Sequence, residues 1–207
     1  RMPPTDPKPD TAARRALRSE LRAARRALSP VERRLAAEAC ARRLIGHAAF
    51  RNARRIAAYL PADGELDTAP LIERAWAMGK QVYLPVLLPQ GENRLWFARY
   101  TPDTRLYPNR FGIPEPDRAS HTRIAPLALD LVLAPLVGFD AHGHRLGMGG
   151  GYYDRTFAFR QRFAGWRKPL LVGFAYAFQR VERLPNKPWD VRLDAVVTED
   201  GVMDCSR

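Results

Sequence analysis

The chain has 207 residues, 46% hydrophobic and 27% charged, so it can bury the core of one ordinary domain. No run of about 20 apolar residues occurs, which argues against a membrane-spanning helix. Two cysteines, Cys40 and Cys205, are too few for a disulfide framework. The first 20 residues contain no apolar signal-peptide core, so we expect a cytoplasmic protein.

The net charge of +12 is concentrated near the start of the chain. Residues 1–55 hold 15 Lys/Arg against 5 Asp/Glu, whereas the remaining residues are nearly balanced. Such a basic segment can meet nucleic acid, an anionic membrane, or a ligand that carries polyphosphate or polyglutamate groups. Charge alone does not choose among these partners.

The basic segment predicts a tail followed by two helices. Residues 1–10 are proline-rich and polar, which predicts a flexible tail. The first helix is predicted over Thr11–Leu28. Its buried stripe is predicted to be Leu17, Leu21, Ala24 and Leu28, and a second stripe, of a kind that is ordinarily solvated, consists of Arg14, Arg18, Arg22 and Arg25. Ser29, Pro30 and Glu32 predict a capped start for the second helix, which extends to about His47.

The rest of the chain alternates strands and helices. Strands are predicted at Arg55–Leu60, Gln81–Leu87, Leu95–Tyr100, Asp130–Val137, Leu170–Ala175 and Ala195–Thr198, and helices at Asp67–Met78 and Tyr152–Phe163. This order predicts an α/β fold: a mainly parallel sheet with helices on both faces, Rossmann-like and three-layered, after an N-terminal helical segment. We expect a single domain over residues 11–207, with ligands beyond the carboxyl ends of the strands.

The most informative segment is Phe139–Arg155, FDAHGHRLGMGGGYYDR. It joins a buried strand to a helix, and its four clustered glycines can adopt positive φ and approach phosphate. Arg145 and Arg155 flank these glycines, and Asp154 in the first helical turn can hold Mg²⁺. From these residues alone, the loop is either a phosphate cradle or a tight turn, and Asp154 is either a metal ligand or a charge that favours the helix end.

Several aromatic and histidine residues are predicted to be core or exposed loop residues. The core aromatics are predicted to be Trp96, Phe97, Tyr100 and Phe111, with Tyr152 and Tyr153 in the core or at its rim. His142 and His144 have no evident partner and are predicted to be exposed loop residues.

The glycine segment resembles the signature of the 5-formyltetrahydrofolate cyclo-ligase family, especially its bacterial branch. Further motifs of that family are similar and in the same order: Arg14–Arg18 (RRALR), Gly64–Thr68 (GELDT), Phe111–Pro116 (FGIPEP), Leu184–Pro185, Trp189–Val191 and Val196–Thr198. The resemblance covers about residues 12–200. It implies an enzyme that uses ATP and Mg²⁺ to close 5-formyltetrahydrofolate into 5,10-methenyltetrahydrofolate, with release of ADP and phosphate.

The resemblance also implies roles for individual residues. For ATP it implies Arg14, Arg15, Ala16, Leu17, Arg18, Arg145, Leu146, Gly147, Met148, Gly149, Gly150, Gly151, Tyr152 and Tyr153. For the folate it implies Leu60, Glu65, Met148, Gly149, Gly150, Gly151 and Tyr152, for magnesium Asp154 and Asp190, and for catalysis Arg145 and Tyr152. The family usually has lysine at the position of Arg14, so the contact made there by a planar guanidinium differs from that of an ammonium.

The implied partner is a small molecule, 5-formyltetrahydrofolate with or without a polyglutamate tail, bound by a monomer without obligate nucleic acid or membrane. Three other interpretations stay open at this point. The arginine-rich helix can serve a nucleic-acid-binding protein. A related α/β scaffold can carry a different small-molecule enzyme, such as a sugar-phosphate isomerase or lactonase. A diverged relative can keep the fold without the activity.

Overall fold

The computed structural model describes residues 12–88, 93–117, 122–162 and 168–205. The predicted tail, residues 1–10, lies outside these ranges. The helices described are α1 (Ala12–Ala27), α2 (Pro30–Gly46), α3 (Ala48–Arg51), α4 (Ala69–Ala77), α5 (Tyr152–Phe157) and α6 (Phe159–Arg162). The strands are β1 (Arg55–Ala57), β2 (Gln81–Leu87), β3 (Leu95–Tyr100), β4 (Leu106–Pro108), β5 (Pro114–Pro116), β6 (Arg123–Ile124), β7 (Leu131–Ala134), β8 (Gly138–Phe139), β9 (Arg145–Leu146), β10 (Leu170–Phe174), β11 (Ala195–Val197) and β12 (Val202–Asp204). Within these ranges, no helix has the length and apolar character needed to cross a membrane.

One mixed sheet organises the fold, with the strand order β12-β11-β10-β7-β1-β2-β3-β6. The five strands β11, β10, β7, β1 and β2 are parallel, and antiparallel strands flank them on both sides. The chain leaves β1 towards β2 on one side and returns to β7 on the other. The carboxyl ends of β1 and β7 therefore border a crevice at the point where the strand order reverses, the usual ligand position in such sheets.

The sheet has a hydrophobic core on each face. In β7, Leu131 and Leu133 join the core beneath α2 and α4, whereas Val132 and Ala134 join the core that contains Phe157 of α5. This alternation follows from the two-residue period of a strand. The predicted three-layer α/β architecture is confirmed.

Several element boundaries differ from prediction. The helix predicted over Tyr152–Phe163 is divided into α5 and α6, and Phe163 lies outside the described residues. The strand predicted over Asp130–Val137 ends at Ala134, because Val137 N–H donates to Leu146 O of a small β8–β9 hairpin instead. The capping box at Ser29 and Glu32 is confirmed, with N···O distances of 2.8 and 3.2 Å.

The arginine stripe of α1 faces the protein rather than solvent. Arg14 and Arg25 are buried, whereas Ala24, which was predicted to be buried, is exposed. The fully buried Arg25 donates from Nε to Asp63 O (2.9 Å) and from Nη1 to Leu136 O (3.3 Å). A buried guanidinium is tolerable only with such partners, so hydrogen bonds from arginine dock this side of the helix.

The carboxylate of Asp63 forms ion pairs with three arginines of α1. Its Oδ2 lies 2.7 Å from Arg22 Nε and 2.9 Å from Arg25 Nη2, and its Oδ1 pairs with Arg26. Desolvation alone would raise the pKa of Asp63, but hydrogen bonds from Arg22 and Arg26 outweigh it and lower the pKa to about 2. Asp63 thus fixes the second half of α1 to the loop between β1 and α4.

Replacing the buried arginine should be far more damaging than replacing its exposed neighbour. We expect Arg25→Met to lower the free energy of unfolding by about 3 kcal/mol, because Asp63 O loses its donor and the Asp63 carboxylate loses an ion pair. Leu136 O keeps its hydrogen bond from Gln179 Nε2. Arg26→Met, at a side chain that is 55% exposed, should lower it by less than about 1 kcal/mol. Urea unfolding of both variants measures this difference, and equal losses would contradict the docking role.

The lowered pKa of Asp63 predicts a pH-dependent contribution to stability. The change of the Asp63 pKa from 3.8 to about 2 is worth roughly 2–3 kcal/mol, which solvent screening reduces to about 1 kcal/mol. Because the folded-state pKa is the lower one, this contribution is complete above about pH 4 and is lost as the pH falls towards 2. Asp63→Asn should therefore be less stable than wild type at about pH 6, with a gap that narrows below pH 4. Urea unfolding across this range checks the trend, and a constant gap would contradict it.

Candidate active site

Two loops meet at the crevice between β1 and β7. One follows β1 and carries Leu60 and Glu65; the other is the glycine segment that follows β7. Because β1 and β7 are adjacent parallel strands, these two loops leave the same edge of the sheet. Burial raises the pKa of Tyr153, and the Glu65 carboxylate raises it further, in keeping with that placement. The residues that the resemblance implied for folate and for ATP therefore lie on neighbouring loops.

Leu60 and Glu65 are both half-buried. Leu60 packs partly against the core, and Glu65 Oε2 accepts a hydrogen bond from Ala62 N–H at 3.0 Å. Desolvation raises the pKa of Glu65 and outweighs the lowering effect of that hydrogen bond. A carboxyl in this setting is suited to a hydrogen-bonding ligand that replaces lost water contacts.

Two different steric constraints require glycine in this loop: positive φ and close approach of a neighbouring ring. Gly149 and Gly151 have φ values of 103° and 66°, the left-handed region that favours glycine. Gly147 and Gly150 do not have positive φ values. A Cβ at Gly150 would nevertheless lie only 2.8 Å from the ring of Tyr152, so close approach of that ring excludes a side chain there.

Arg18 of α1 reaches the glycine loop directly. Its Nε donates to Gly147 O at 2.8 Å, and its guanidinium carbon lies 4.0 Å from the position a Cβ would take at Gly149. Met148, at the loop tip, is 50% exposed. A cation therefore lies beside an accessible stretch of backbone. Of the other α1 positions implied for ATP, Arg15 and Ala16 are exposed and Leu17 is half-buried.

Arg14 joins α1 to the segment near the end of the chain that carries Asp190. Its Nη1 donates to Pro185 O at 2.7 Å and to Asp190 Oδ2 at 3.1 Å. The same Asp190 oxygen accepts the N–H of Lys187 at 3.0 Å. The two motifs are more than 170 positions apart in sequence but form one ion pair at the site.

Arg145 and Asp154 form a second ion pair, with Nη2 and Oδ1 2.6 Å apart. Arg145 also donates to Val191 O, and Val191 N–H donates to Asp154 Oδ1 at 3.0 Å. Arg145 is buried and held by these contacts, so its direct contact with a phosphate would require the exchange of a partner. Because Val191 follows Asp190, the two implied metal ligands lie on adjoining parts of one network.

The carboxylates of Asp154 and Asp190 can hold magnesium only if a bound ligand supplies further oxygen atoms. No cluster of three or more His, Cys, Asp or Glu side chains forms a metal site among the described residues. Asp154 and Asp190 each use one carboxylate oxygen for an arginine, and within the described ranges the second oxygen makes no hydrogen bond. Two half-neutralised carboxylates suit a cation that brings phosphate oxygens and water with it.

The turn of the β4–β5 hairpin adds contacts to the site that no sequence pattern assigned. Arg110 donates a hydrogen bond to the Tyr152 hydroxyl, and the Phe111 ring lies edge-on to the Tyr152 ring at 6.1 Å. The predictions of Phe111 and Trp96 as core residues are wrong, because they are 58% and 38% exposed, whereas Phe97 is fully buried as predicted. The FGIPEP motif was the available signal, but its letters alone do not indicate a neighbour.

The prediction that His144 lacks a partner is wrong. Its Nδ1 lies 2.9 Å from Asp140 Oδ2, and its Nε2 lies 3.1 Å from Asn186 Nδ2. Only 11% of its side chain is exposed. His142 is exposed as predicted. Asp140 stands four residues before His144, and that spacing in a loop gave no indication of the pair.

Comparisons with known proteins show the family to which the chain belongs. Residues 10–199 match the model of the 5-formyltetrahydrofolate cyclo-ligase family. The cyclo-ligase of Escherichia coli K12 is 43% identical over 185 residues, 89% of this chain and 99% of the relative; that of Haemophilus influenzae is 41% identical over 187 residues, 89% and 96%. The structure of 5,10-methenyltetrahydrofolate synthetase from Aquifex aeolicus superimposes with a TM-score of 0.76 at 36% identity, covering 94% of this chain and 93% of the other. The chain belongs to the 5-formyltetrahydrofolate cyclo-ligase family and resembles its bacterial members.

Proposed function

We propose that the protein catalyses the ATP-dependent cyclisation of 5-formyltetrahydrofolate to 5,10-methenyltetrahydrofolate, with release of ADP and phosphate. The observation that carries the proposal is the hydrogen bond from Arg18 to the glycine loop, which neighbours the loop with Glu65, in a member of this family. A cation and exposed backbone on one side and a half-buried carboxyl on the other suit two different ligands held side by side.

The reaction requires two bond exchanges. The formyl oxygen attacks the γ-phosphorus of ATP, an O–P bond forms, and ADP leaves. The 10-position nitrogen then attacks the activated formyl carbon and loses its proton to water or to the departing phosphate. The C–O bond breaks, and the former formyl oxygen leaves as part of the phosphate. Both steps depend on alignment and on neutralisation of phosphate charge, so no nucleophilic side chain is required.

We assign the nucleotide to Arg14–Arg18 and Arg145–Tyr153, and the folate to Leu60, Glu65 and the loop Met148–Tyr152. The Tyr152 hydroxyl and ring border the loop, which supports a direct contact with the reacting groups. Arg145, also expected in catalysis, is best supported as the residue that holds Asp154 in place.

We assign magnesium to Asp154 and Asp190, where its charge would neutralise phosphate oxygens during transfer. Each carboxylate is already paired with an arginine, Asp190 with Arg14 and Asp154 with Arg145. A dication alone would meet this positive charge without compensation. It should therefore bind together with the polyphosphate rather than before it.

The contacts of α1 give no support to nucleic-acid binding. Arg14, Arg18, Arg22 and Arg25 all bond to protein carbonyls or carboxylates, so the stripe is not an open basic surface. Our proposal includes a monomeric cytoplasmic enzyme that also accepts polyglutamylated substrate. It further includes a single domain over residues 11–207 after a flexible tail at residues 1–10.

A spectrophotometric assay tests the proposed function. Purified protein with ATP, Mg²⁺ and 5-formyltetrahydrofolate should give an absorbance rise from the methenyl product, with one ADP released for each molecule formed. Omission of ATP, or its replacement by a non-hydrolysable analogue, should abolish the rise. Absence of product, or formation without ATP, would contradict the proposal.

Substitution of either carboxylate tests the magnesium assignment. Asp154→Asn and Asp190→Asn should each lower kcat/KM for ATP by about 10- to 100-fold, and Asp190→Asn should raise the Mg²⁺ concentration needed for half-maximal rate. Asp200→Asn, at an exposed loop position, is the matched control and should behave as wild type. An Mg²⁺ dependence and a kcat/KM for ATP that both match wild type would contradict the assignment, and thermal unfolding separates loss of activity from loss of fold.

A further inference from the structure

A buried carboxylate lies beneath the glycine segment. Asp140 is fully buried, and its Oδ1 accepts the N–H groups of His142 and His144 at 2.9 and 3.1 Å. Its Oδ2 accepts the N–H of Leu184 at 3.0 Å and faces His144 Nδ1 at 2.9 Å. Desolvation would raise the pKa of Asp140, but these hydrogen bonds outweigh it and lower the pKa. The carboxylate is thus a charged, fully bonded anchor.

The His144 ring connects this anchor to the chain segment that precedes Asp190. A hydrogen bond from Nδ1–H to the Asp140 carboxylate leaves Nε2 as the ring nitrogen that faces Asn186. That nitrogen accepts from the Asn186 side-chain amide at 3.1 Å. One ring therefore bridges the glycine segment and the chain about 40 residues further on.

The carbonyl that accepts a hydrogen bond from Arg14 lies between two points at which this segment is attached to the glycine segment. Leu184 is bound through its N–H by Asp140, and Asn186 through its side chain by His144. Pro185 lies between these two attachments, and its oxygen accepts from Arg14 Nη1 at 2.7 Å. The same Nη1 contacts Asp190 at 3.1 Å.

We propose that His144 and Asn186 are positioning residues that set Arg14 and Asp190 for the nucleotide, acting through Pro185 O. The inference rests on the proposed function, in which Arg14 and Asp190 serve ATP and its magnesium. Neither His144 nor Asn186 needs to touch substrate. Their contribution is to keep a carbonyl and a carboxylate at the spacing that one guanidinium nitrogen bridges.

The expected effect is selective for the nucleotide. Loss of one neutral hydrogen bond changes an equilibrium by about 2- to 10-fold. His144→Ala and Asn186→Ala should each raise KM for ATP by about this factor, with KM for the folate changed by less than about twofold and kcat little affected. His144→Gln should restore much of the affinity, because an amide can donate to Asp140 and accept from Asn186.

The controls come from the same loop. His142→Ala removes an exposed imidazole two positions away, whose ring is 6.1 Å from that of His144, and should leave KM for ATP unchanged. The double variant His144→Ala/Asn186→Ala should be no worse than His144→Ala alone, since the bond between the two side chains is already lost in that variant. Calorimetric titration with Mg²⁺ and a non-hydrolysable ATP analogue, without folate, supplies a readout that needs no turnover.

The outcomes separate this inference from the proposed function. Weaker analogue binding in both alanine variants, unchanged binding in His142→Ala and recovery in His144→Gln support it, even if wild type makes no methenyl product. Unchanged binding in Asn186→Ala, additive effects in the double variant, or a loss confined to the folate KM would overturn it. Asn186 is exposed, so Asn186→Ala is expected to fold. It therefore still tests the inference if His144→Ala fails to fold.

Discussion

The site depends on the docking of α1 by buried and half-buried arginines. A guanidinium removed from water requires several acceptors, and three segments from distant parts of the chain supply them to α1. Arg25 binds the loop after β1, Arg18 binds the glycine loop, and Arg14 binds the segment that carries Asp190. Hydrogen bonds from α1 thus connect three loops that the sheet alone would leave unconnected.

The sheet determines which loops lie side by side and within reach of α1. Since β1 lies between β2 and β7, the loop with Glu65 and the glycine loop are neighbours although about 80 residues separate them. Parallel strands place both loops at the same edge of the sheet. Topology therefore supplies the crevice, and the arginines of α1 fix the relative positions of its walls.

The sequence predicts what local patterns encode. Short apolar runs predict the buried parallel strands, and the capping box predicts the start of α2, since both signals depend on neighbours within a few residues. The buried side of α1 is not predictable in this way, because Arg25 is buried by acceptors at Asp63 and Leu136. His144 presents the same difficulty, since its second partner, Asn186, is 42 residues away.

The pairing of acids with arginines has a consequence for the order of ligand binding. Arg14 with Asp190 and Arg145 with Asp154 are already satisfied, so a polyanion alone would repel the acids and a dication alone would repel the arginines. Magnesium and polyphosphate arriving together give each member of a pair a new partner of opposite charge. Under the assignment proposed above, magnesium and nucleotide are therefore expected to bind as one complex, because only the complex exchanges ion pairs without leaving a charge uncompensated.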